Sequence, residues 1–183
     1  MEVNFKHNPA KPVEPIYIEQ VFAEKPGGGL VANPAFDVPP TTAVGKSGNK
    51  FVAIKAYKLY AAVAEADTSI KIKKGSGVVV GDVIATGKKG VACTAVDNSN
   101  AEYDTVTVTL GVNVTDGTTL YQAKEASDSE AEPLAAPEYV TGNWVYANEG
   151  DQLVRLINGA NLRKETVNIA PEVVALLPTI KLV

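Results

Sequence analysis

Asp104-Thr105-Val106-Thr107-Val108-Thr109-Leu110 alternates polar and apolar side chains one for one. On an extended chain this puts Val106, Val108 and Leu110 on one face and the threonines on the other. The β-branched content suits a pleated, half-buried strand. Upstream, Ser69-Ile70-Lys71-Ile72-Lys73 repeats the pattern with lysine on the wet face. Turn formers close the neighbouring segments: Lys74-Gly75-Ser76-Gly77, Gly87-Lys88-Lys89-Gly90, Asp97-Asn98-Ser99-Asn100 and Asp116-Gly117. Between them, residues 83–86, 91–96 and 118–123 read as further strands. Short strands at close spacing, with no crossover helix, predict a mainly β fold: a small antiparallel barrel or sandwich.

Toward the C-terminus, residues 125–137 (EASDSEAEPLAAP) are acidic and small and read as a solvated linker. Trp144-Val145-Tyr146 and Leu153-Val154-Arg155-Leu156-Ile157 suggest strands, with Asn158-Gly159 as a hairpin-turn signal. Pro171 opens a short helix over 171–177 and Pro178 ends it. Residues 179–183 alternate again. Toward the N-terminus, residues 51–66 favour strand over helix, although the alternation slips face partway. Residues 33–49 carry Pro34, Pro39, Pro40, Gly45, Gly48 and paired threonines, the composition of a linker or long surface loop. The main boundary is therefore expected there, separating an N-terminal arm and linker (1–50) from a β-rich domain (51–183). Within the arm, residues 16–23 favour strand, and Lys25-Pro26-Gly27-Gly28-Gly29 stops it. Residues 1–15 hold three prolines and little periodicity, as expected of an extended arm ordered only by a partner.

Composition excludes several function classes. The 183 residues carry 17 Lys and Arg against 21 Asp and Glu, a formal charge of −4, so the broad positive field of a nucleic-acid binder is missing. Cys93 and His7 are the sole cysteine and histidine, which leaves neither a disulfide framework nor a soft-ligand zinc cluster. The alternating flanks of Cys93 mark it as an inert buried thiol. No apolar run reaches the about 20 residues that span a bilayer, and no secretion signal is evident, so synthesis is expected in the cytoplasm without membrane insertion.

Catalytic patterns fare no better. Gly45-Lys46-Ser47 mimics the end of a phosphate-binding loop, but Pro40 stands where its first glycine belongs; residues 81–89 are misspaced for the same motif. Gly27-Gly28-Gly29 reads as a hinge, not a dinucleotide fingerprint. His7, in a proline-bordered arm, is poorly placed for base catalysis. Asp82 with Asp104, or Glu149 with Asp151, could form an acid–base pair, yet each lies beside turn formers and is better read as a turn cap. Asp97, Asn98, Asn100 and Asp104 lack the ligand spacing of a calcium loop. Lys71, Lys73, Lys74, Lys88 and Lys89 read as solvated strand faces. The sequence therefore predicts a non-enzymatic chain with no catalytic, cofactor-binding or metal-binding residues.

Four segments carry a resemblance: Val52-Ala53-Ile54-Lys55-Ala56-Tyr57, Ile70-Lys71-Ile72-Lys73-Lys74-Gly75, Val80-Gly81-Asp82-Val83-Ile84 and Tyr103-Asp104-Thr105-Val106-Thr107-Val108. With Leu153-Val154-Arg155-Leu156, Leu162-Arg163-Lys164-Glu165-Thr166 and Ala175-Leu176-Leu177-Pro178, they resemble the head fibre proteins of tailed phages and prophages of Bacteroides-type bacteria. The similarity spans about residues 51–183. It implies a capsid decoration protein on the outside of a virion, bound to the major capsid protein and assembled as a homotrimer. Tyr17, Ile18, Val21 and Phe22 are the candidate capsid contacts, through strand addition and apolar burial, or else they complete the protein's own sheet. A carbohydrate-binding or adhesion module is the alternative, with host-surface polysaccharide as its partner. A biotin or lipoyl carrier is disfavoured, because its hairpin-tip lysine motif is not evident.

Overall fold

The computed structural model describes residues 15–87 and 89–183. The chain runs through β1 (Ile18–Glu24), β2 (Gly29–Val31), β3 (Ala43–Ser47), β4 (Lys50–Ala53), β5 (Ala56–Lys58), β6 (Ser69–Lys73), β7 (Val83–Thr86) and β8 (Lys89–Ala92). Then follow β9 (Ala95–Asp97), β10 (Tyr103–Thr107), β11 (Thr119–Ala123), β12 (Pro137–Thr141), β13 (Gln152–Val154), β14 (Leu156–Leu162), the single helical turn α1 (Pro171–Val174) and β15 (Ile180–Leu182). The mainly β architecture with one short C-terminal helix is the one expected from the alternating segments.

The largest sheet runs β1-β14-β12-β3-β4-β2-β13, with β15 also on β14, and curls into a half-barrel. Only Arg155 separates β13 from β14, so the path returns to the stretch of chain near which it began. Its pairs are antiparallel except β14 with β15 and β2 with β4. A second unit, residues 56–123, is inserted between β4 and β12. It contains the three-stranded sheet β6-β10-β9 and the four-stranded sheet β5-β11-β7-β8. In β6 and β10, Ile70 opposes Val106 and Ile72 opposes Asp104, so the period of two survives in the fold.

Three apolar clusters hold these layers together. One fills the insert, with Tyr57, Leu59, Ile72, Leu110 and Leu120 fully buried. A second fills the half-barrel around Val31, Val44, Phe51, Val154 and Leu156. The third joins the two, packing Ala85, Tyr121 and Ala123 of the insert against Val140, Ile157, Leu162, Val173 and Leu177. Truncating one fully buried leucine or isoleucine costs about 2–5 kcal/mol, so each cluster matters to the whole.

Several expectations need correction. Residues 33–49 do not form a linker: β3 lies inside the large sheet between β12 and β4, and Thr41, Thr42, Ala43 and Val44 are buried. The paired threonines serve a polar network there. The Thr42 hydroxyl donates to the Pro39 carbonyl at 2.8 Å and accepts from the Asn168 amide at 2.8 Å, while Thr41, at φ 69°, accepts from the Asn168 backbone N–H at 3.0 Å. A boundary near residue 50 thus falls within one sheet, because β1 to β4 interleave with β12 to β15. Residues 125–137 are largely solvated as expected, but the segment is anchored: Ala131 is buried, its carbonyl accepts the Tyr121 hydroxyl at 2.7 Å, and Ser127 bridges to Gly90.

Asn158-Gly159 is no turn but the middle of β14, where Gly159 lies opposite Ala23 of β1. A Cβ on Gly159 would sit 3.1 Å from that of Ala23, so the glycine serves a close strand approach. Trp144-Val145-Tyr146 yields only an isolated bridge from Val145 to Val38. The alternation around Cys93 breaks at Cys93-Thr94, between β8 and β9, and the thiol is buried as expected.

Candidate functional site

The four candidate contact residues lie at or beside β1, an outer strand of the largest sheet. Its β-branched and aromatic side chains favour extension, and Pro26 with Gly27 and Gly28 (φ 74° and 70°) turns the chain into β2. On one side β1 pairs with β14, with irregular register at Ile18/Gln20 and from Val21 to Glu24. Its other side has no strand partner among the described residues.

The candidate residues separate by environment. Ile18 and Val21 are half-buried against the joining cluster, so they belong to the protein's own core. Phe22 is 58 % exposed and Ile16 56 % exposed. Tyr17 faces a cleft, and its carbonyl accepts the Arg163 N–H at 3.0 Å. Arg163 meets Glu19 and Arg155 meets Glu24, each at 2.5 Å, fastening β1 to β14 along its solvent face. Such exposed pairs contribute about 0–1 kcal/mol each, so the packing of Ile18 and Val21 holds the strand more firmly than its charges do.

The cleft, about 440 Å³, is bordered by Tyr17, Asp37, Lys58, Lys73, Trp144 and Asn168, among others. Lys58 and Lys73 come from the insert, and the other four from the large sheet and its loops. Lys58 donates to the Glu165 carbonyl at 3.3 Å, and Asp37 accepts the Ala147 N–H at 2.8 Å. Among the described residues the Trp144 indole N–H and the Lys73 ammonium meet no acceptor. The residue pattern around Trp144 reads only as strand content, whereas the residue lies on a loop between β12 and β13, half-buried, at the border of the cleft.

Three of the four carboxylates considered for acid–base work, Asp82, Asp104 and Asp151, make ion pairs within the fold. Asp82 is buried and accepts from Lys55 at 2.8 Å, Tyr57 at 3.0 Å, the Val79 N–H at 3.0 Å and Gln122 at 3.1 Å. It does cap a turn through Val79, but it also ties that turn to residues 55–57 and to Gln122 of β11. Burial, then the charge and hydrogen bond of Asp82, push the Tyr57 phenol far above its ordinary 10.0. Burial likewise raises the Cys93 thiol, keeping it in its less reactive form.

Asp104 is not a turn cap. It meets Lys74 at 2.5 Å, and the same ammonium donates to the Asn98 carbonyl at 2.7 Å. A lysine thus occupies part of the oxygen set considered for calcium. Asp97 and Asn100 accept backbone N–H groups two residues onward at 2.9 Å, as turn residues do. The hydrogen bond from Ser99 holds the Asp97 carboxyl below its ordinary range. Asp151 meets Lys50 at 2.5 Å, while Glu149 is exposed.

Among the described residues no three His, Cys, Asp or Glu side chains gather as a metal site, and no helix is long and apolar enough to cross a membrane. His7 lies outside the described residues, as does Lys88 of the basic stretch. Lys71 stands 4.8 Å from the centre of the Tyr103 ring, and Lys74 is ion-paired, so the stretch is partly engaged within the fold. The searches for related proteins matched no family model, no curated protein and no solved structure.

Proposed function

We propose that this chain is a structural virion protein, a head fibre or capsid decoration protein held on the outside of a phage capsid by the major capsid protein. The observation that carries the reading is the outer side of β1. A strand with one edge that has no partner among the described residues, and with an exposed aromatic, is a surface that another chain completes by strand addition. Phe22 and Ile16 supply apolar contact, while β14 and the joining cluster hold the strand rigid beneath them. The choice of particle follows the resemblance read from the sequence segments of residues 51–183. The resident form is a homotrimer made in the bacterial cytoplasm, without catalytic residues, cofactor, nucleic acid or membrane as partners.

Phe22→Asp tests the attachment, because it charges the exposed contact without emptying the core. Purified undecorated heads incubated with wild-type protein should carry it after sedimentation, and heads incubated with the variant should not. Equal occupancy for both proteins would refute the assignment of this edge. Equilibrium sedimentation of the free protein should give three times the 19.2 kDa chain mass.

A second reading, carbohydrate binding, is favoured by the Trp144 cleft. A half-buried tryptophan at the border of the cleft, with amide and ammonium groups on the same border, offers a sugar both an apolar face and hydrogen bonds. The two readings are compatible in a fibre that also touches host-surface polysaccharide.

A further inference from the structure

We infer that the cleft between the large sheet and the insert binds an acidic saccharide, a chain bearing carboxylates such as a polyuronate. This inference rests on the carbohydrate reading and adds the ligand's charge. It does not depend on the capsid assignment.

Three features point to that chemistry. Trp144 is the protein's only tryptophan, is half-buried at the cleft, and has an indole N–H without an acceptor among the described residues. A sugar ring presents a C–H face that lies on such a ring and oxygens that accept its N–H. Next, the charges at the cleft are unequal. Lys74 is neutralised by Asp104 at 2.5 Å, leaving Lys58 and Lys73 against Asp37. Lys58 uses one donor on the Glu165 carbonyl, and Lys73 uses none among the described residues, so both retain donors for a carboxylate. Finally, Asn168 is anchored through its backbone N–H to Thr41 at 3.0 Å and its amide to Thr42 at 2.8 Å, so one polar edge of the cleft is held in place. A fixed polar wall, an aromatic face and unspent ammonium donors suit a ligand that is both sugar and anion. The chain as a whole carries −4, which disfavours polyanions in general and confines such binding to this local imbalance.

Titrating the full-length protein with tetragalacturonate tests this. Because Trp144 is alone, its fluorescence reports the cleft directly. Binding should shift that emission, weaken as salt is raised, and exceed binding of maltotetraose by about tenfold. By calorimetry, Trp144→Ala should abolish binding. Lys73→Gln, on an exposed side chain, should weaken it about tenfold with no loss of folding. If neither saccharide binds, the carbohydrate reading fails; if both bind equally, that reading stands and the acidic assignment falls. Unchanged affinity in Lys73→Gln, or equal affinity for a short oligothymidylate, would also overturn it.

Discussion

The carboxylate of Asp82 lies 2.8 Å from the ammonium of Lys55, and both side chains are largely withdrawn from water. Lys55 occupies the short connection between β4 of the large sheet and β5 of the insert, and its ammonium also stands 5.5 Å from the centre of the Phe36 ring. The pair therefore sits where the two units join. Asp82→Ala leaves Lys55 charged and without this partner, and should destabilise the protein by about 3–5 kcal/mol in urea titration. Lys55→Met added to that variant should recover part of the loss, because no ammonium then remains buried.

Tyr57 donates to the same carboxylate and sets the alkaline limit of stability. Its folded pKa is raised, so its contribution is fully present below 10.0, the ordinary phenol value, and is lost above it. There the unfolded chain releases a proton that the folded protein keeps. Stability should fall by about 1.4 kcal/mol per pH unit for this one group. Tyr121 is raised in the same direction by burial and then by Glu172, so the wild-type slope is steeper still. Tyr57→Phe should lose about 1 kcal/mol at neutral pH, through the missing hydrogen bond, and show a shallower decline in urea titrations above pH 10.

Gly75 and Gly77 occupy one turn yet should differ in tolerance. Both have positive φ, 86° and 66°, but a Cβ at Gly75 meets open space, whereas at Gly77 it would overlap the Phe36 ring. Gly75→Ala should cost about 1–2 kcal/mol through backbone strain alone. Gly77→Ala should cost about 2–5 kcal/mol, because overpacking is added to strain. Thermal melts of the two variants compare them directly.

On β1, Val21→Asp should destabilise the fold by about 1–3 kcal/mol, since it puts a charge against the joining cluster. Phe22→Asp should lie within about 0.5 kcal/mol of wild type, because the ring is already largely exposed. Denaturant midpoints decide this. Deleting residues 1–24 is consequently an ambiguous test of attachment: it removes a strand that the sheet itself uses.

The period of two made β6 and β10 legible, because burial on one face imposes alternation that survives any tertiary arrangement. Thr41 and Thr42 misled for the opposite reason. Proline, threonine and glycine mark loops when solvated, but here a network through Asn168, more than a hundred residues away in sequence, satisfies them inside the fold. Gly159 likewise looked like a turn residue, while its purpose is the close approach of Ala23 from a distant strand. Tyr17 to Phe22 were readable as a strand, yet the division between core-facing Ile18 and Val21 and exposed Phe22 depends on irregular pairing with β14. The cleft left no local signal, since Tyr17, Lys58 and Trp144 meet only through long-range topology.

The most direct measurement is the protein content of purified virions, quantified by mass spectrometry after density-gradient separation. A capsid-exterior role predicts this polypeptide in a fixed ratio to the major capsid protein, removed selectively by treatments that strip surface proteins while the shell stays closed. Its absence from the particles, with all of it left in the soluble fraction of the lysate, would contradict that role.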